Sequence, residues 1–262
     1  MASRPRFVGL LVLFAALAAK AHANDPTAVP ECPTSPAAEQ PTSNNVRLVT
    51  GSPYSALGIS QTVTTLPDGH RIVRQNTIRQ WRDSEGRTRS EFSLSTIGGT
   101  RPLELNTTVT VIDDPEVRER YLLQSSNKVA VTMPIVPCRV NAVREPDLSV
   151  GPPRPAGLPM NVTAPVKLGQ RNVNGETAAG SRVEATIPAG AIGNEKPINM
   201  SAEQWYGKNL QVVVEATYRD PRTGETRYKL SDIHRAEPDA KLFQVPDDYT
   251  KQPAAAPAGK RR

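Results

Sequence analysis

Apolar and polar side chains alternate along two segments of the chain, residues 46–140 and 167–250. This alternation is typical of β-strands that bury one face, and β-branched and aromatic residues are frequent in it. Short turn sequences separate the runs: PDG, DSEG, DDPE and SSNK in the first segment, and NG, NE and DPRTG in the second. Turn chemistry at this spacing indicates successive antiparallel hairpins.

The pattern predicts a mainly β fold, either a large curved antiparallel sheet or an unclosed β-barrel, with few short helices. Two separate small sheets would each expose edge strands and bury little apolar area, so we favour one sheet of about nine to eleven strands. A short helix is expected over residues 237–243, where an acid and a proline stand at the start of a turn.

Proline divides the chain, since 13 of its 25 prolines fall in residues 24–45, 141–166 and 251–262. These stretches hold few large apolar residues, and burial cannot offset the entropy of ordering them. We therefore predict a disordered leader at 24–45 and a disordered basic tail at 251–262. Between them we predict a single β domain at 46–250 that contains a proline-rich linker at 141–166.

The amino terminus has the order of a cleavable signal peptide. Arg4 and Arg6 precede an apolar run from Phe7 to Ala19, and the sequence AHA ends at residue 23. The run is shorter than the roughly 20 residues that a spanning helix needs, so a retained anchor is the less favoured alternative. Residues 1–23 are predicted to be removed. The mature protein is then periplasmic or secreted and has no transmembrane anchor.

The basic residues that make the formal charge +6 lie at the two ends of the chain. Three basic residues leave with the signal peptide and four belong to residues 251–262, which leaves 25 basic and 26 acidic side chains in residues 24–250. A domain this close to neutral argues against nucleic acid as a partner.

Two cysteines, Cys32 and Cys138, remain after signal cleavage. An oxidising compartment permits them to form a disulfide, and their spacing is not the C-x-x-C of a reactive thiol pair. The sequence leaves both the paired and the unpaired state open.

Catalytic motifs are missing from the sequence. No G-x-S-x-G element exposes a serine nucleophile, and neither His70 nor His234 stands in a metal-ligand spacing. The adjacent acids at 113–114 and 247–248 point to opposite faces of an extended chain, and we interpret them as turn residues. We therefore predict no enzymatic activity, no catalytic residue, no metal site and no cofactor.

The candidates for lining a ligand cavity are Trp205, Tyr206 and Trp81. Trp205 and Tyr206 are adjacent, so alternation places one on each face of a strand. Core packing is the alternative interpretation.

One sequence order occurs twice in the chain: an aromatic residue, Arg, Asp, a turn and Gly. It is found at 81–89 (WRDSEGRTR) and at 218–227 (YRDPRTGETR). It reflects either a duplicated hairpin or the shared needs of a tight turn, and we favour the second.

The sequences at 187–206 (IPAGAIGNEKPINMSAEQWY) and 219–249 (RDPRTGETRYKLSDIHRAEPDAKLFQVPDDY) resemble the carboxyl-terminal part of uncharacterised exported proteins of soil bacteria. Residues 53–91 resemble the amino-terminal part of the same proteins. That family has no assigned activity.

The DP-x-x-G turn, the returning strand and the ending P-D-x-x-x-F-x-V-P-x-D-Y are similar to the ending of periplasmic lipoprotein-carrier proteins. This resemblance implies an unclosed barrel whose concave face holds acyl chains or a protein partner. The leading hypothesis is a non-enzymatic exported β protein that binds a hydrophobic small molecule or a cell-envelope protein. A surface-assembly or sensor module that acts through protein contacts is the alternative, and an enzyme of unknown type is the third.

Overall fold

The computed structural model describes residues 29–32, 44–93, 108–139 and 159–254. Within these ranges the backbone forms strands and one short 3₁₀ helix, Ala240–Phe243. In chain order the strands are β1 Asn45–Arg47, β2 Tyr54–Thr65, β3 Arg71–Arg82, β4 Thr88–Ser93, β5 Thr108–Asp114, β6 Glu119–Gln124, β7 Val129–Pro134, β8 Val136–Cys138, β9 Asn161–Val162, β10 Val166–Val173, β11 Glu176–Ile187, β12 Ile198–Gly207, β13 Val212–Asp220, β14 Gly224–His234 and β15 Thr250–Pro253.

Among the described residues, thirteen strands form one sheet, in the order β10-β11-β12-β13-β14-β2-β3-β4-β5-β6-β7-β15, with β9 beside β11. The prediction of a mainly β, unclosed sheet is confirmed, because the end strands β10 and β15 do not pair with each other. Neighbours within the sheet are antiparallel, except that β15 runs parallel to β7. The two strand-rich segments of the sequence meet where β14 pairs with β2, with Leu230 opposite Gly58.

The sheet has more strands than the nine to eleven expected from the sequence, and three of them lie partly or wholly in stretches predicted to lack strands. β9 and the start of β10 fall in the predicted linker at 141–166, and most of β15 falls in the predicted tail at 251–262. β15 is attached through its backbone: Thr250 N donates to Lys128 O and Ala254 N donates to Thr132 O. Bonds of this kind require no apolar alternation, so the sequence pattern does not reveal them.

Residues at the amino terminus are tied to the end of the first strand-rich segment. β1 pairs in parallel with β8, with Arg47 opposite Cys138. Cys32 and Cys138 form a disulfide with a Cα–Cα distance of 4.7 Å. Residue 32 is therefore joined to β8, which forms a separate two-stranded sheet with β1, although the sequence placed it in a disordered leader.

Buried apolar side chains form separate clusters. The short helix expected at 237–243 is present as the 3₁₀ helix, where Asp239 accepts a hydrogen bond from Lys241 N and Phe243 is buried. Phe243 belongs to the second apolar cluster, Ile112, Tyr121, Leu123, Ala130 and Phe243. The first apolar cluster consists of Tyr54, Ala56, Val173, Ala178, Trp205, Leu210, Val214 and Leu230.

Candidate binding cleft

A cleft of about 850 Å³ lies against one face of the sheet, at the ends of β11, β12, β13, β14, β2 and β3. In a flat sheet β11 and β3 would lie five strand spacings apart, about 24 Å. Residues of both strands line the same cleft, so the sheet curves around it. The charged residues that line it are Arg71, Glu184, Arg219, Asp220, Arg222, Glu225 and Arg227.

Strand register explains why polar side chains meet in the cleft. Glu184 pairs with Ser201, Ser201 with Arg219, Arg219 with Glu225, and Glu225 with Val63. Directly paired residues of antiparallel strands project from the same face of a sheet. One row across five strands therefore carries four polar residues to the same face.

Glu225 is shared between two arginines of the cleft. Arg219 Nε donates to Glu225 Oε2 at 2.7 Å, and Arg227 Nε lies 2.5 Å from Glu225 Oε1. The side chains of Arg219 and Arg227 are 49% and 65% exposed, so solvent and solutes can reach both guanidinium groups. One carboxylate thus faces two cations at the mouth of the cleft.

Asp220 closes the turn between β13 and β14, next to the cleft. Its side chain is 2% exposed, receives Arg222 Nη2 at 2.6 Å and accepts from the Tyr218 hydroxyl at 3.1 Å. Burial opposes ionisation of Asp220, but the hydrogen bonds from Arg222 and Tyr218 outweigh it and lower its pKa. Burial and the Asp220 charge raise the pKa of Tyr218 to about 12. Gly224 completes the turn at φ +100°, where an added Cβ would collide with the backbone of Val63.

The repeated sequence order at 81–89 and 218–227 corresponds to one turn device used twice. Asp83 is 1% exposed and accepts from Glu85 N and Arg87 N, while Arg87 Nε lies 2.5 Å from its other oxygen. Asp220 likewise accepts from the backbone and side chain of Arg222. A buried Asp that gathers turn N–H groups and one guanidinium accounts for the recurrence.

The three candidates for a ligand cavity lie elsewhere, and none lines the cleft. Trp205 is 8% exposed in the first apolar cluster and lies across from Gly180, with Arg171 Cζ 3.9 Å from its ring centroid. The Tyr206 hydroxyl accepts from Arg47 Nη2 at 2.5 Å. Trp81 packs against the second apolar cluster. The structure does not bring the three rings together, and ligand contact at them stays a prediction.

The groups considered for catalysis are far apart or engaged in ion pairs. His234 pairs with Ser55 at one end of β2, whereas the β2–β3 turn holds His70 at the other, about 33 Å away for ten extended residues. Asp113 receives two hydrogen bonds from Arg120, and Asp248 pairs with Lys128 at 2.9 Å.

Within the four described ranges, no group of three or more His, Cys, Asp or Glu side chains is placed to hold a metal ion. Over the same residues, no helix has the length and apolar character needed to cross a membrane.

No family model and no curated protein matches this chain. Among solved structures, an uncharacterized conserved protein from Thermus thermophilus aligns at a TM-score of 0.40 and 10% identity, over 77% of this chain and 90% of that one. The MucA/MucB complex of Pseudomonas aeruginosa aligns at 0.36 and 13%, over 76% of this chain and 57% of that one. A LolA superfamily protein from Nitrosomonas europaea aligns at 0.29 and 9%, over 75% and 92%. The chain has a distant structural likeness to these folds.

Proposed function

We propose that this protein is a non-enzymatic binding protein outside the cytoplasm and that the cleft is its binding site. The observation that carries the proposal is a concave space of about 850 Å³ formed by six neighbouring strands. Ligand pockets in proteins are typically about 300 to 1,000 Å³. The disulfide between Cys32 and Cys138 supports the location, because such bonds persist in oxidising compartments.

The lining favours a polar ligand, or a polar segment of an envelope partner, over the hydrophobic molecule expected from the sequence. Of the described residues that line the cleft, seven are charged and none is aromatic. An acyl chain placed there would take water from charged groups without offering them hydrogen bonds, which is costly.

Equilibrium dialysis of the purified protein against envelope extract, followed by mass spectrometry of what is retained, tests the proposal. Asn199→Trp places an indole in the cleft from an exposed strand position and should abolish retention of polar compounds. Thr177→Trp is the matched control, since Thr177 is exposed on β11 but does not line the cleft.

Wild type and the control should therefore retain the same compounds. Retention that survives Asn199→Trp, or saturable fatty-acid uptake by all three proteins, would refute the assignment of the cleft.

A further inference from the structure

We propose that the ligand of the cleft carries an oxyanion group, a carboxylate or a phosphate, which binds Arg71, Arg219 and Arg227 in competition with Glu225. This inference rests on the proposed function, because it names the chemistry of the ligand that the cleft takes. The charge distribution of the lining residues carries it.

The wall of the cleft formed by β13, β14, β2 and β3 holds more positive than negative charge. Glu225 is the counter-ion of both Arg219 and Arg227. Arg71 pairs with Thr65, which lies two residues beyond Val63 on β2 and hence on the same face as Val63 and its partner Glu225. Within the part of the chain that the structure describes, three guanidinium groups therefore lie on this face of the wall with one carboxylate among them.

The other acids of the cleft do not compensate this charge. Asp220 is held by Arg222 in a closed pair at 2.6 Å. Glu184 lies on β11, three strand spacings from β14, which is about 14 Å. The wall thus attracts an anion, and the opposite side of the cleft tolerates a polar or cationic part of the same ligand.

Arg219 and Arg227, which share Glu225, keep N–H groups that can bind an oxyanion. The closest approach of each to Glu225 is through Nε, so the terminal N–H groups stand outside that contact. The N–H groups of a guanidinium bind carboxylate and phosphate oxygens in a planar, two-point geometry. The cleft is much larger than a single ion, so the ligand is a molecule that bears the oxyanion.

In the empty cleft, Glu225 occupies the position that the anion of the ligand takes on binding. The direction in which Glu225→Gln changes the binding affinity therefore tests the inference. Glu225→Gln removes the internal competitor and leaves two cations uncompensated. Isothermal titration at low salt with citrate, and separately with inorganic phosphate, should show about tenfold tighter binding to this variant, as expected for one charge-assisted contact. The double variant Arg71→Gln/Arg227→Gln should bind at least about tenfold more weakly.

Arg182→Gln is the matched control. Arg182 also forms an exposed cross-strand ion pair, with Glu203 at 2.7 Å, but it does not line the cleft. The affinity of Arg182→Gln for both anions should equal that of wild type. Circular dichroism is used to check that each variant is folded. Preference between the citrate and phosphate arms identifies the oxyanion.

Weaker or unchanged binding of both anions to Glu225→Gln overturns the inference, as does an equal loss in Arg182→Gln. If Asn199→Trp abolishes retention of a ligand in dialysis while the arginine variants keep it, the cleft binds without an oxyanion. In that case this inference fails and the proposed function stands.

Discussion

Asp220 shows how a single buried carboxylate organises the turn beside the cleft. Asp220 is the last residue of β13. It accepts hydrogen bonds from Arg222, two residues later, and from the hydroxyl of Tyr218 on its own strand. The β13–β14 turn therefore depends on one ionised side chain that is almost wholly buried. Arg222 itself is 35% exposed, so neutralising Asp220 weakens charge-assisted hydrogen bonds and does not strand a buried cation. A hydrogen bond to a charged group contributes about 1.5 to 3 kcal/mol.

Asp220→Asn should lower the free energy of unfolding by about 2 kcal/mol at neutral pH, measured by urea titration, because its hydrogen bonds from Arg222 and Tyr218 lose their charge assistance. The lowered pKa of Asp220 makes its contribution present above the unfolded value, about 3.9, and lost as the pH falls through the folded value. The stability difference between wild type and variant should therefore narrow below about pH 4.

Asp248→Asn is the control for this prediction. Asp248 pairs with Lys128 while 60% exposed, and such pairs contribute about 0 to 1 kcal/mol. A difference between wild type and Asp220→Asn that stays constant on acidification would contradict the role given to the Asp220 charge.

At the scale of elements, the carboxyl-terminal strand covers an edge of the sheet. All four residues of β15 are exposed, so the strand is held mainly by backbone hydrogen bonds to β7. β7 itself contains Val129, Ala130 and Val131, a β-prone sequence. Lys251 and Pro253 on β15 then present a charged and a donor-poor edge, which discourages pairing with another chain.

Ending the chain after Tyr249 should cause self-association, because it uncovers the hydrogen-bonding edge of β7. Size-exclusion chromatography with light scattering would show a dimer or larger species. A chain that ends after Ala254 keeps β15 and serves as the control. If both truncated proteins have the same oligomeric state as wild type under the same conditions, β15 does not protect this edge.

Alternation in the sequence was enough to predict most strands of the sheet, including the β13–β14 hairpin and its turn at Asp220. It did not reveal β9 or β15, because short edge strands with exposed side chains leave no periodic signal. It also did not reveal the cleft. Glu184, Arg219 and Arg227 alternate as any solvated face does, and only the curvature of the sheet brings them to one space.

At the scale of the molecule, we propose that residues 46–250 form a single domain. The sheet runs without interruption from β10 to β15, and the pairing of β14 with β2 joins its two halves by a long antiparallel ladder. Shared ladders of this length couple the unfolding of their strands.

Fluorescence from the two tryptophans tests whether residues 46–250 form a single domain, because Trp81 packs with the second apolar cluster and Trp205 with the first. In Trp205→Phe and in Trp81→Phe, the remaining tryptophan and far-ultraviolet circular dichroism should report one urea transition with the same midpoint. The comparison is made within each variant, so a loss of stability caused by the substitution does not affect it. Separate midpoints in either variant would show two domains.

The ladder between β14 and β2 also sets the order in which the molecule is completed. Leu230 pairs with Gly58, 172 positions earlier in the chain, so β2 has no partner on this side until those 172 residues have been made. Topologies dominated by such distant pairings fold slowly. Until β14 arrives, one side of β2 is an open edge, and this interval is when the newly made chain most needs protection from aggregation.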